Sequence, residues 1–248
     1  MVFFLALTAG CVTETQGPEP VVVDPQQAIS QRVALARQYI GAGDWDNAKR
    51  NLELAAAIDD NNPEVLEALA LVFQSTGEFE LAEANFTRAL DLGGGSRARN
   101  NFAAFLFSQG RYEESASEFQ TVTADTLYSG RPRAFVNLGL ALLQLNDIDG
   151  ARQAFTRSLF MDSRNPTALL ELTQISLTEG DVEAASGYYG SYRQSTRVQS
   201  ARALILGVEI ARLSGDADLE ASNLLALRNL HAEAPIYRVW KAAQLEQR

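Results

Sequence analysis

Apolar positions recur at helical spacing from Gln31 onward, in pairs of striped segments that are separated by a glycine or asparagine turn. A small residue lies five positions after each turn residue, and a bulky residue lies four positions after the small one. The turn residues are Gly43, Gly77, Gly110, Asn146 and Gly180. The small residues are Ala48, Ala82, Ser115, Ala151 and Ala185, and the bulky residues are Leu52, Phe86, Phe119, Phe155 and Tyr189. A weaker sixth copy surrounds Gly215. The pattern predicts six pairs of antiparallel helices.

The spacing between successive copies is close to 34 residues, which is the period of the tetratricopeptide repeat. A glycine tolerates the positive φ that ends a helix, and a small residue lets the second helix approach the first. No single hairpin can bury its own apolar face, so the repeats must stack on one another. Prolines suit the first turn of a helix, and three of them fall at repeat starts: Pro63, Pro132 and Pro166.

The sequence therefore predicts an all-α fold, a right-handed superhelix of about six tetratricopeptide repeats with a C-terminal capping helix. The repeats are predicted at residues 29–62, 63–96, 96–129, 132–165, 166–199 and 200–235. The capping helix is predicted at residues 236–248, with Ile236, Val239, Trp240 and Ala243 on its apolar face.

The only cysteine of the chain lies near its start. A short apolar stretch, residues 1–10, leads through Thr8, Ala9 and Gly10 into Cys11. This arrangement resembles the lipobox of bacterial lipoproteins, which implies that residues 1–10 are removed and that Cys11 is acylated. The alternative is that Cys11 is an incidental small hydrophobic residue near a frayed terminus. No Lys or Arg precedes the apolar stretch, so we expect the true start to lie upstream of Met1.

Residues 11–28 carry three prolines and a glycine without a helical period, and we predict a flexible tether there. In the lipoproteins that this segment resembles, an Asp directly after the acylated Cys commonly signals retention at the inner membrane, and this chain has Val12 at that position. The resemblance therefore implies delivery to the outer membrane, with the repeat domain in the periplasm.

Composition excludes several classes of function. The formal net charge is −10 and no basic run exceeds two residues, so a nucleic-acid partner is not expected. One Cys and one His leave little for a disulfide, a metal site or a catalytic triad. His231 has no His or Cys partner, and "LDLGGGSRAR" lacks phosphate-loop spacing and is interpreted as a linker. We predict no catalytic residue, metal, cofactor or small-molecule substrate.

A binding groove is the expected functional site. In other tetratricopeptide proteins the second, fifth, ninth and twelfth residues of each repeat line the concave wall. The candidate groove residues at these positions and at the neighbouring sixth include Leu71, Arg97, Asn100, Asn101, Phe107, Arg133, Val136, Asn137, Leu140 and Leu143. The middle of the groove is thus predicted to be apolar with arginines at one rim, although any apolar member could instead pack within or between repeats.

Asn101 and Asn137 share the sixth position of consecutive repeats. An amide there can hold a peptide backbone through donated and accepted hydrogen bonds. It can equally bond to the backbone of its own repeat. Together the groove positions indicate capture of an apolar or amphipathic segment of another protein.

Two runs carry a more particular resemblance: "NNFAAFLFSQGRYEESASEFQ", residues 100–120, and "DTLYSGRPRAFVNLGLALLQ", residues 125–144. They resemble the PilF/PilW family, which are tetratricopeptide lipoproteins of type IV pilus biogenesis, and residues 69–90 match it more loosely. The resemblance implies a pilotin that binds secretin subunits and promotes their localisation to, and multimerisation in, the outer membrane. The alternative is a lipoprotein scaffold that docks periplasmic cell-wall enzymes.

Overall fold

The computed structural model describes residues 24–246, and within that range it contains thirteen α-helices and no strand. The helices are α1 (Pro25–Ala42), α2 (Trp45–Ala56), α3 (Pro63–Thr76), α4 (Phe79–Asp91), α5 (Ser96–Ser108), α6 (Tyr112–Ala124), α7 (Arg131–Gln144), α8 (Ile148–Met161), α9 (Pro166–Thr178), α10 (Val182–Ser195), α11 (Ala201–Ser214), α12 (Ala217–Leu230) and α13 (Pro235–Glu246). The predicted all-α stack of about six repeats with a C-terminal helix is confirmed. The predicted signal segment and Cys11 lie outside the described residues.

The hairpin turns have the backbone conformation that the repeat pattern requires. The predicted turn residues and Gly215 all have positive φ: Gly43, Gly77, Gly110, Asn146, Gly180 and Gly215. Asn146, at φ 60°, is the one residue other than glycine in the described range with positive φ. Asparagine is among the few residues with a side chain that adopt this conformation at modest cost, so the fourth repeat keeps the turn without a glycine.

The core lies between the two helices of each hairpin and between neighbouring hairpins. The five predicted small residues have no exposed surface, and the five bulky residues are at most 2% exposed. Helices approach closely at Gly139 of α7, where a Cβ would lie 2.6 Å from the ring of Phe155. At Gly207 of α11 a Cβ would lie 2.2 Å from the hydroxyl of Tyr189. These two glycines are therefore packing residues inside helices, which explains why a poor helix former is retained there.

Polar caps fix where several helices begin. Four second helices follow an aspartate whose side chain accepts a backbone N–H three residues later: Asp44, Asp147, Asp181 and Asp216. Asn62 and Asn165 cap the first helices α3 and α9 in the same manner. Each cap satisfies a donor that the first helical turn leaves without an intrahelical partner.

The structure corrects the sequence prediction at both ends of the repeat domain. The prediction of a flexible tether up to residue 28 is wrong for residues 25–28, because α1 begins at Pro25. The carboxylate of Asp24 accepts the N–H of Gln26 at 3.0 Å, and proline suits the first helical turn.

The capping helix α13 buries a different face from the predicted one. Tyr237 is 6% exposed and stacks on Trp240 with ring centroids 6.1 Å apart. Ile236 and Val239 are 46% and 72% exposed. The aromatic pair packs against the cluster that includes Leu204, Val208 and Leu227, and this contact sets the rotation of the helix.

Candidate functional site

The first helices of the hairpins form the inner wall of the stack. Direct contacts join α1 to α3, α3 to α5, α5 to α7, α9 to α11, and α11 to α13. No comparable contact joins successive second helices in the described range. Elements that lie closer together are on the inside of a curve, so the odd-numbered helices line the concave face.

A buried carboxylate organises the N-terminal part of this wall. Glu67 of α3 is 1% exposed and accepts hydrogen bonds from Arg37 at 2.6 Å, from Arg97 at 3.0 Å and from Asn101 at 2.6 Å. Arg97 also pairs with Glu64 at 3.1 Å. Burial lowers the pKa of Arg37, while the two carboxylates raise the pKa of Arg97 in spite of its own desolvation. The network ties together the first helices of three successive repeats.

The network changes the expected character of this end of the groove. Arg97 was predicted at an arginine-bearing rim, and the structure gives it two carboxylate partners. Asn101 was expected to offer its amide to a guest backbone or to its own repeat, and it donates instead to Glu67 of the preceding repeat. The sequence could not show this, because the partner lies 34 residues away.

A cavity of about 460 Å³, with both polar and apolar lining residues, lies beside the network. Its lining includes Glu64, Arg97 and the glycine-rich segment 93–95 that was interpreted as a linker. Tyr128 also faces this cavity, and burial raises the pKa of its hydroxyl in spite of the nearby cation Arg133. Arg133 itself is exposed, at the start of α7.

The middle of the wall is apolar and holds a small pocket of about 80 Å³. Three predicted groove residues, Phe107 of α5 with Asn137 and Leu140 of α7, meet there beside Ala104 and Phe119. All three are partly exposed. A pocket of this size holds the end of one apolar side chain, and the amide of Asn137 lies at its margin.

Four other predicted groove residues take different places. Val136 is 5% exposed and belongs to the cluster of Phe155 and Leu172, so it supports the wall from behind. Asn100 is 7% exposed, and its Oδ1 has no hydrogen-bond partner among the described residues. Both placements correct the prediction that these side chains face a guest, because the fifth position of these two repeats is turned into the core. Leu71 and Leu143 are partly buried against neighbouring core clusters.

The sequence did not predict a second apolar depression at the C-terminal end of the wall. Two cavities of about 370 and 280 Å³ adjoin there and share Gln174 and Glu209. Leu213 of α11 lines the first cavity, and Ile236 and Val239 of α13 line the second. The signal for it is present in the apolar residues Ile236 and Val239 of α13, which the sequence pattern predicts on the capping face.

Glu209 is the ionisable group of interest in this depression. Burial raises the pKa of its carboxyl, and the nearby cation Arg212 opposes this only in part. The indole Nε1 of Trp240 is buried and lies outside hydrogen-bonding geometry with any described residue. The negative charge of the Glu209 carboxylate is therefore only partly balanced by its neighbours.

Other features add no chemistry to the site. His231 donates from Nε2 to the carbonyl of Gln199 at 2.9 Å, which links the end of α12 to the loop before α11. Residues 24–246 contain no group of three side chains suited to a metal ion. None of the helices described combines the length and apolar character needed to cross a membrane.

Comparisons with known proteins agree with this architecture. The tetratricopeptide repeat family model matches residues 67–132 and 136–196. The type IV pilus assembly protein PilF of Pseudomonas aeruginosa is 34% identical over 245 residues, which is 98% of this chain and 97% of that protein.

Two solved structures are similar over most of the chain. One comes from a functional characterisation of Pseudomonas aeruginosa PilF and has a TM-score of 0.83 at 33% identity. It covers 88% of this chain and 99% of that one. The other is PilW, described as a widely conserved type IV pilus biogenesis factor, with a TM-score of 0.75 at 24% identity over 86% of this chain and 98% of that one. The second likeness shows the shared fold.

Proposed function

The chain belongs to the PilF family of type IV pilus assembly proteins, and from this premise we propose that it is a lipid-anchored adaptor for secretin subunits. It would hold a subunit by its concave wall and promote its localisation to, and multimerisation in, the outer membrane. No bond is made or broken in this role. Acylated Cys11 would supply the attachment to the outer membrane, with the repeats in the periplasm.

The apolar pocket between α5 and α7 is the observation that carries the proposed binding mode. It places Phe107, Asn137 and Leu140 around one opening on the inner wall. A guest segment that inserts one apolar side chain there would bury surface on both partners, and Asn137 could pair with its backbone. The depression lined by Leu213, Ile236 and other residues extends the apolar wall toward the C-terminus.

Substitution of the pocket tests this mode directly. Leu140→Glu places a charge at the opening, and desolvating that charge opposes entry of an apolar guest. We expect the affinity for a purified secretin subunit, measured by calorimetry, to fall about tenfold or more. Leu225→Glu is the matched control, because Leu225 is 53% exposed on the second helix α12.

The Leu140 variant must also keep its fold, since Leu140 packs partly against the cluster of Phe155. Circular dichroism should show unchanged helicity for both variants. Unaltered secretin binding by a folded Leu140→Glu protein would remove the site from this pocket.

The identity of the partner needs a separate experiment. Affinity capture with the mature protein from an envelope extract should recover the secretin. Recovery of cell-wall hydrolases without any secretin would replace the proposal with the scaffold alternative.

The anchoring role of Cys11 is tested by Cys11→Ser. A serine cannot form the thioether that lipidation requires, so we expect the variant to fractionate with the soluble periplasm. Association with the outer membrane that persists in this variant would show that something other than an acyl chain localises the protein.

A further inference from the structure

Exposed apolar side chains mark the places where the second helices end. Leu127 follows α6, Phe160 lies in the last turn of α8, Val198 follows α10, and Leu230 closes α12. They are 93%, 87%, 73% and 66% exposed. The corresponding Ile58 and Leu92 of the first two hairpins are only 43% and 42% exposed, so the feature belongs to the later repeats.

These side chains lie along one edge of the stack, where each first helix starts and each second helix ends. A cavity of about 200 Å³ lies at this edge, between α7 and α8. Its lining residues are Arg131, Phe135, Arg157, Phe160 and Met161. Arg131 packs its guanidinium over the ring of Phe135 at 5.5 Å and donates to the carbonyl of Thr123 at 2.7 Å. This fixes one cation beside the projecting phenyl ring.

The charge around Phe160 is opposite to that of the whole chain. Arg131, Arg157 and Arg164 form no ion pair with any described residue, whereas the chain carries a net charge of −10. The nearest acidic groups are engaged locally. Asp162 accepts the N–H of Arg164 at 3.3 Å, and Asp125 accepts from Ser96 and from the N–H of Leu127 at 3.0 Å. These bonds lower the pKa of Asp125, so it stays ionised. Asp125 and Asp162 together bring two negative charges against the three arginines, and the local charge remains positive.

We propose that this edge docks against an anionic phospholipid bilayer. Phe160, Met161 and Leu127 would enter the interfacial region, and Arg131 and Arg157 would receive lipid phosphates at the mouth of their shared cavity. Apart from Leu127, which also lines the cavity beside the Glu67 network, these residues lie outside the concave wall. The proposal does not depend on secretin binding.

The shape of the surface favours a bilayer over a peptide partner. A peptide is held by a continuous groove that surrounds its apolar side chains. Here the apolar side chains project outward, and Phe160 is 87% exposed above the cavity that it borders. Hydrocarbon closes around a projecting ring without a complementary pocket, and the arginines match the anionic headgroups. Docking of this edge would hold the repeat domain itself against the membrane, in addition to the anchor at Cys11.

Co-sedimentation with vesicles tests the proposal on the full chain carrying Cys11→Ser, which removes any contribution of an acyl group. The probes are vesicles of phosphatidylcholine alone and vesicles with about one third phosphatidylglycerol. We expect binding to the anionic vesicles that weakens in high salt. Phe160→Ser should reduce it roughly tenfold or more, and Arg157→Gln should reduce it severalfold.

Leu81→Ser is the matched control, because Leu81 is 49% exposed at the opposite edge, in the first turn of α4 after the turn at Gly77. It should bind as the parent does. Phe160→Trp allows a second measurement. The tryptophan fluorescence of this variant should shift to the blue only when anionic vesicles are added.

Two results would overturn the proposal. One is the absence of binding to anionic vesicles. The other is equal loss of binding in Leu81→Ser and Phe160→Ser. Sedimentation velocity on the same samples tests whether a second copy of the chain, and not a bilayer, occupies this edge. A dimer that Phe160→Ser abolishes, with no vesicle binding, would assign the edge to a second copy of the chain. Because the protein is unacylated and no secretin is present, none of these outcomes bears on the proposed adaptor role.

Discussion

Among the interactions of the N-terminal repeats, the Glu67 network is the one whose loss should lower the stability of the fold most. Glu67 is 1% exposed and accepts from Arg37, Arg97 and Asn101, so Glu67→Gln keeps the volume but removes the charge. Breaking a fully buried ion pair costs about 3–5 kcal/mol. The side chains of Arg37 and Arg97 are 28% and 45% exposed and can regain water, so we expect about 2–3 kcal/mol.

Urea unfolding followed by circular dichroism measures this loss, and hydrogen exchange in α3 and α5 locates it. Glu64→Gln is the matched control, because Glu64 is 49% exposed and pairs with Arg97 alone. It should cost no more than about 1 kcal/mol. The double variant Glu67→Gln with Arg37→Gln should be non-additive by about 1 kcal/mol. Equal costs for Glu67→Gln and Glu64→Gln would refute the role assigned to the network.

Two further substitutions test packing and ionisation. Gly139→Ala should destabilise by about 1–3 kcal/mol in thermal unfolding, because its Cβ would lie 2.6 Å from the ring of Phe155. Gly187→Ala, also within a helix but with open space around it, should instead stabilise by up to about 1 kcal/mol; a stabilised Gly139→Ala would contradict the close contact. Glu209 has a pKa raised above its ordinary value of 4.5, so its ionisation lowers stability as the pH rises through and above that value. Glu209→Gln should therefore be more stable at pH 7 by less than about 1 kcal/mol, with the advantage fading below pH 4.5; an advantage that grows in acid would show the opposite shift.

The repeat architecture could be predicted because each of its determinants is local. The turn at Asn146 requires a residue that tolerates positive φ, and the places of Ala151 and Phe155 follow from it at fixed distances. Such constraints act within one hairpin and recur with the period, so the sequence displays them repeatedly.

The binding surface was predicted less well because it depends on contacts between repeats. Position within a repeat placed Phe107, Asn137 and Leu140 on a shared pocket. It could not show that Asn101 pairs with Glu67, since that bond depends on how adjacent hairpins are rotated. The exposure of Val239 depends likewise on the stacking of Tyr237 against Trp240.

Site-specific photo-crosslinking tests the central claim, that the concave wall holds a secretin segment, most directly. A photoreactive residue at Arg133, exposed on the first helix α7, should crosslink to a bound secretin subunit. The same residue at Gln153, exposed on the second helix α8, should give little product. Crosslinking that is confined to position 153, or equal at both positions, would contradict binding on the inner wall.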